Sequence, residues 1–163
     1  MKKFCLPVIC LLALFVAAPL ARAQGNAKQG PDVMRDPDLE KDSLHNLEVA
    51  RQAFKLRKAY VGALQRCEEV LAGNPVFSKI DEILFVAGES SLNLSLGKGK
   101  QAASLYVIHD GEKKRSLTPE QLRDLARTYL SQLVTEHPES SFRGRAEEDL
   151  KGLGGPKPKD SKQ

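Results

Sequence analysis

The chain has 163 residues, 25 Lys and Arg against 21 Asp and Glu, a formal charge of +4 at pH 7, and three cysteines. That length suffices for one compact domain behind an N-terminal leader but not for two. Part of the basic excess sits in the leader, so the charge gives no support for a nucleic-acid partner, which needs Lys and Arg clustered on one face.

Met1-Lys2-Lys3, the uncharged run Phe4 to Ala18, and Ala21-Arg22-Ala23 before Gln24 have the layout of a secretory signal over residues 1–23. The expectation is export to the periplasm, either free there or peripheral at the outer membrane. A spanning helix needs about 20 apolar residues, and Pro19 and Arg22 break this run before that length, which weighs against an uncleaved anchor. Cys5 and Cys10 lie inside the run rather than at the cleavage point, so no lipid anchor is expected. Cleavage removes Lys2, Lys3 and Arg22 and no acid, leaving a nearly neutral chain with Cys67 alone. No intramolecular disulfide can then form, and Cys67 reads as a small core residue rather than a reactive thiol.

Residues 24–36, with Gly25, Gly30 and Pro31, read as a flexible linker, and residues 154–163 as a disordered tail. Between them, 37–153 reads as an all-α domain of about two helical-hairpin repeats plus a C-terminal capping helix. Asp36-Pro37 supplies an N-cap and a first-turn proline, after which Leu44, Leu47, Ala50, Ala53 and Phe54 share one helical stripe. A second helix from Ala59 to Ala72 turns Ala63, Leu64, Cys67, Val70 and Leu71 inward and stops at Gly73-Asn74-Pro75. The short join at Arg57-Lys58 makes the two antiparallel neighbours.

Ser78 and Asp81 have capping-box spacing at the head of a third helix, which carries Ile80, Ile83, Leu84, Ala87, Ser91, Leu94 and Leu96 toward Gly97. Gly88 inside that helix costs about 1 kcal/mol relative to Ala, which points to a neighbouring helix backbone approaching closely there. Residues 97–116 form an insertion whose apolar run Ala102 to Ile108 either lies on the core as a short helix or strand, the favoured reading, or forms an exposed partner patch. Thr118-Pro119-Glu120-Gln121 starts a helix carrying Leu122, Leu125, Ala126, Tyr129, Leu130, Leu133 and Val134 to Pro138. A final helix from Ser140 or Ser141 presents Phe142, Ala146, Leu150 and Leu153 and covers the end of the stack.

Ala63, Cys67, Val70, Leu71 and Pro75 recur at the same spacing as Ala126, Leu130, Leu133, Val134 and Pro138. This pattern resembles the tetratricopeptide repeats: Ala50 and Phe54 match first-helix positions, Ala63 the small crossing position and Pro75 the terminal proline, while Ala87-Gly88, Ala126 and Pro138 form a lengthened second unit. The segments Asp81 to Ser90 and Leu133 to Ala146 are similar to repeats of the BamD family of outer-membrane assembly subunits. That resemblance implies a periplasmic, non-catalytic adaptor whose partners are envelope or outer-membrane proteins or their peptide segments. Envelope proteins of the Tol-Pal coordination type use similar repeats, and that job stands as an alternative. The chain departs from BamD proteins in lacking a lipid cysteine, in having fewer repeats, and in the insertion after Gly97.

Few residues suggest catalysis. Gly97-Lys98-Gly99-Lys100-Gln101-Ala102 fits a dinucleotide-binding string but lacks the preceding strand that such a site needs. His45, His109 and His137 share no metal-ligand spacing, and neither a metal nor a cofactor is expected. Glu68-Glu69, Asp81-Glu82 and Glu147-Glu148-Asp149 read as solvated helix faces. The binding candidate is a groove lined by first helices of the hairpins, which places His45, Glu48, Gln52 and Lys55, then Glu82, Phe85, Glu89 and Asn93, toward a partner. Phe85 serves there as an aromatic anchor or else as plain core. A small-ligand or enzyme site in 97–116 is the alternative of a different class, and the oligomeric state is left open.

Overall fold

In the computed structural model, which describes residues 35–111 and 113–157, the chain is mostly helical. The expected signal, the linker up to residue 34 and the tail from residue 158 lie outside the described residues. Helix α1 (Pro37–Arg51) starts as its sequence dictates: Asp36 Oδ1 accepts from the amides of Asp38 at 2.9 Å and Leu39 at 3.4 Å, satisfying N–H groups that no helical carbonyl can reach. Leu47 and Ala50 are fully buried on its inner face. The helix then widens into a π-helical stretch, Gln52–Arg57, and ends at Lys58 in the left-handed region with φ 53°. The wider turn keeps Ala53 inward, sets Phe54 against Tyr60 with ring centroids 5.4 Å apart, and leaves Leu56 77% exposed.

Helix α2 (Tyr60–Gly73) buries Ala63, Leu64 and Cys67 completely. Its N-cap, Ala59, has no side chain to offer, and the free amide of Gly62 is taken instead by Gln101 Oε1 of the insertion at 3.1 Å. Gly99 (φ +97°) lies so close to this joint that a Cβ there would stand 2.6 Å from Lys58 O and from the Tyr60 ring. Glycine is therefore required by both backbone and space.

Helix α3 (Ile80–Ser95) is the centre of the molecule, packed between α2 and α4, with every residue from Ile83 to Ser91 buried. The Ser78–Asp81 capping box expected at its head does not form. Ser78 gives its amide to Glu40 of α1 at 3.2 Å, and Asp81 accepts from Ser140 Oγ at 2.7 Å, so both are committed to other elements. The close approach at Gly88 is present: a Cβ would lie 2.6 Å from Leu130 Cγ and 3.5 Å from the carbonyl of Ala126.

The insertion contains a 3-10 turn (Ala103–Leu105) and a hairpin in which β1 (Val107–Asp110) pairs antiparallel with β2 (Lys113–Ser116), Val107 opposite Ser116 and Ile108 opposite Arg115. Tyr106 plugs into the core, 4% exposed, and Ala103 and Ile108 are half-buried against it. Leu105 and Val107 stay in solvent, so only part of the apolar run is covered.

Helix α4 (Pro119–Glu136) opens on the full capping box, Thr118 Oγ1 accepting from Gln121 N and Gln121 Oε1 accepting from Thr118 N. Helix α5 (Arg143–Gly152) buries Ala146 and Leu150, and closes with Gly154 and Gly155 at positive φ, the Gly155 amide reaching back to Leu150 O at 2.8 Å. Residues Gly154 to Lys157 are not the loose start of a tail. Arg127 donates to Gly155 O at 2.6 Å, and the Lys157 amide donates to Ser131 Oγ at 2.8 Å, which ties them along α4.

Consecutive helices pack on one another in chain order from α1 to α5. The turns after α2 and α4 correspond bond for bond: Phe77 N to Asn74 O and Ile80 N to Phe77 O, then Ser140 N to His137 O and Arg143 N to Ser140 O, all at 3.0–3.1 Å. Asn74 and His137 end their helices with similar dihedrals (φ −144°, ψ 74° and φ −127°, ψ 62°). The offset is the one that relates Ala63 to Ala126, both fully buried.

Candidate functional site

Two parallel rows were candidates for a groove, and the fold treats them differently. On α1 and its π-helical extension, His45, Glu48, Gln52 and Lys55 are all exposed, a polar lane in which Gln52 Nε2 and Arg51 Nη1 each reach Glu48 at 3.4 Å. On α3 the matching row is engaged. Glu82 takes a bidentate pair from Arg51, with Nε at 2.6 Å and Nη2 at 2.5 Å, which holds α1 against α3 and raises the guanidinium pKa above its ordinary value.

Phe85 and Glu89 do not line an open groove, because α5 lies over them. Phe85 is 5% exposed, stacked on Phe142 at 4.8 Å with the Arg145 guanidinium 5.3 Å from its ring centre. It is core, the second of its two sequence readings. Glu89, also 5% exposed, lies 2.9 Å from Arg145 Nη2 at an angle that falls short of a hydrogen bond. Burial, followed by the adjoining Asp149 carboxyl, raises its pKa to about 7 against the pull of Arg145. Glu89 Oε1 and Asp149 Oδ2 are both buried with no hydrogen-bond partner among the described residues. Asn93 is half-buried and donates to Glu89 O at 2.7 Å.

The paired acids that read as solvated faces are structural in part. Glu68 on α2 is half-buried, and its Oε1 accepts two phenol hydroxyls, Tyr106 from the insertion at 2.5 Å and Tyr129 from α4 at 3.0 Å. Burial raises the Glu68 pKa while the two hydrogen bonds oppose that rise; burial and the carboxylate push both tyrosines well above their ordinary value. The partners stand 38 and 61 residues away in sequence, beyond any local pattern. Cys67, one residue earlier, is fully buried and its thiol pKa is raised by burial, as a core cysteine requires.

His45 and His109 are exposed and His137 caps α4. Among the described residues no three His, Cys, Asp or Glu side chains gather as metal ligands, and no helix is long and apolar enough to cross a membrane. A cleft of about 560 Å³ lies between the end of α3, the first half of α4 and the end of α5, with Arg123, Arg127, Asp124 and Asp149 around Leu92 and Leu96. Gly97 to Ala102 forms a turn after α3 and not a phosphate-cradling strand-to-helix junction. No family model, no curated protein and no solved structure matches this chain.

Proposed function

We propose that this chain is an exported, non-catalytic interaction scaffold of the helical-hairpin repeat class, acting in the periplasm as an adaptor for envelope or outer-membrane proteins. Its likeness to BamD-type repeats over Asp81 to Ser90 and Leu133 to Ala146 suggests outer-membrane protein assembly as the process served. The observation that carries the repeat reading is the correspondence of the two turns after α2 and α4, hydrogen bond for hydrogen bond, at the offset that relates Ala63 to Ala126. In an array of this type each unit contacts its neighbours in sequence and an extended face is left for a partner. The face is the exposed lane His45, Glu48, Gln52 and Lys55, held in place by the Arg51–Glu82 pair and continued by Leu56. A rim of mixed charge around an exposed leucine suits an amphipathic partner segment.

Photo-crosslinking in the native envelope tests this, with the reactive residue at Gln52 or Lys55 and, as control, at Thr135 on the exposed side of α4. A discrete crosslinked species from the first two positions only, weakened by Leu56→Asp, is the expected result. Equal labelling from all three positions, or no adduct, sets the scaffold reading aside.

A further inference from the structure

Beside the Glu68–Tyr129 bond lies a cavity of about 500 Å³ lined by Glu68, Leu71, Ala72, Pro75, Ile80, Tyr129 and Gln132, between α2, the head of α3 and α4. Its chemistry is asymmetric. Leu71, Ala72, Pro75 and Ile80 supply its aliphatic side, and the charge is a single carboxylate whose Oε1 already accepts two tyrosine hydroxyls, filling both of that oxygen's acceptor directions. Oε2 accepts from no described group and is the atom left for a visitor. At the rim, the Gln132 amide nitrogen donates one hydrogen to Glu136 at 2.9 Å, and its carbonyl oxygen, which accepts from no described group, can serve as a second acceptor.

We propose that this cavity binds an aliphatic primary ammonium, the chemistry of a lysine side chain, with the methylene stem on Leu71, Pro75 and Ile80 and the head on Glu68 Oε2. A guanidinium is the poorer guest. Its planar fork matches both oxygens of a carboxylate, and one of the two is taken. An ammonium is a point charge that needs one strong acceptor and tolerates Gln132 as a second, while its stem gains by leaving water for aliphatic walls. Tyr106 and Tyr129 act as positioning residues, fixing the carboxylate rotamer so that Oε2 faces the hollow. The site lies on α2 and α4, away from the α1 lane, and stands whether or not the scaffold reading does.

Amide-resolved NMR of the full chain provides the test, titrating capped lysine (Nα-acetyl-lysine methylamide), its norleucine and arginine counterparts, and cadaverine. Saturable shifts at Glu68, Leu71, Tyr129 and Gln132 are expected with capped lysine at a dissociation constant of about 1–10 mM, typical of a small fragment. Norleucine, isosteric in stem but uncharged, and arginine should each bind at least about tenfold more weakly, and Glu68→Gln should lose lysine binding by a similar factor. If capped lysine outbinds cadaverine the guest is a protein-borne side chain; if cadaverine wins it is a free diamine. Norleucine binding as well as lysine on the unaltered protein overturns the proposal without recourse to any variant, as does the absence of saturable shifts below about 50 mM.

Discussion

Replacing Gly88 by alanine sets two known effects against each other at one atom. In an exposed helix interior the change is worth about 1 kcal/mol in favour of the folded state. Here the new Cβ would stand 2.6 Å from Leu130 Cγ and 2.7 Å from Cδ2, roughly 1 Å inside the normal carbon–carbon separation of about 3.5–4.0 Å. Leu130 is fully enclosed on α4, so its branch point can retreat only by moving the helix or leaving its rotamer, an overpacking cost of about 1–3 kcal/mol. The clash outweighs the propensity gain, and Gly88→Ala should lower stability by up to about 2 kcal/mol, read as a fall in the urea midpoint at constant slope. In a Leu130→Ala background, itself costing about 2–5 kcal/mol, the obstacle is gone. There the same Gly88→Ala change should stabilise by about 1 kcal/mol through helix propensity and partial filling of the void. The reasoning fails if the substitution stabilises the parent protein, or shifts both backgrounds alike.

Glu89 holds its proton to about pH 7 when folded and to about 4.5 as a free side chain, so between those values the folded state binds the extra proton. Stability is then greatest below pH 4.5 as far as this group is concerned and falls by up to about 3 kcal/mol as pH rises through 7, a fall that denaturation midpoints across pH should lose in Glu89→Gln. Thr118→Ala removes one arm of a reciprocal cap and should cost about 1 kcal/mol in the same assay; no change would mean that water replaces the bond without loss. Cys67, fully buried on the inner face of α2, should react with a thiol reagent only as fast as the protein unfolds, and rapid labelling of the native state would contradict its enclosure.

The elements legible in the sequence were those with short-range causes. Asp36-Pro37, Thr118-Pro119-Glu120-Gln121 and Gly154-Gly155 act within a turn of where they stand, and each does in the fold what its residues announce. Gly88 was legible for a related reason, since an unfavourable residue inside a helix has to be matched by something packed on it. Ser78 and Asp81 misled because a capping box is a local option that loses when Glu40 and Ser140, distant in sequence, offer better partners. Phe85 and Glu89 were assigned to a groove-lining face from helical phase, but phase does not tell which later helix covers a face, and α5 covers these two. Glu68 shows the same limit from the other side: two tyrosines from separate elements meet one carboxylate, and nothing within a window of one helix encodes that encounter.

The Gly62–Gln101 hydrogen bond spans 39 residues and has a bearing on how the chain folds as it emerges from a ribosome. The opening turn of α2 depends on an acceptor synthesised after α3 is complete, so vectorial growth leaves that turn frayed until the later segment folds back onto it. An N-terminal fragment ending at Ser95 would therefore carry a hairpin with a ragged joint, and the molecule gains its final rigidity at this point late and all at once.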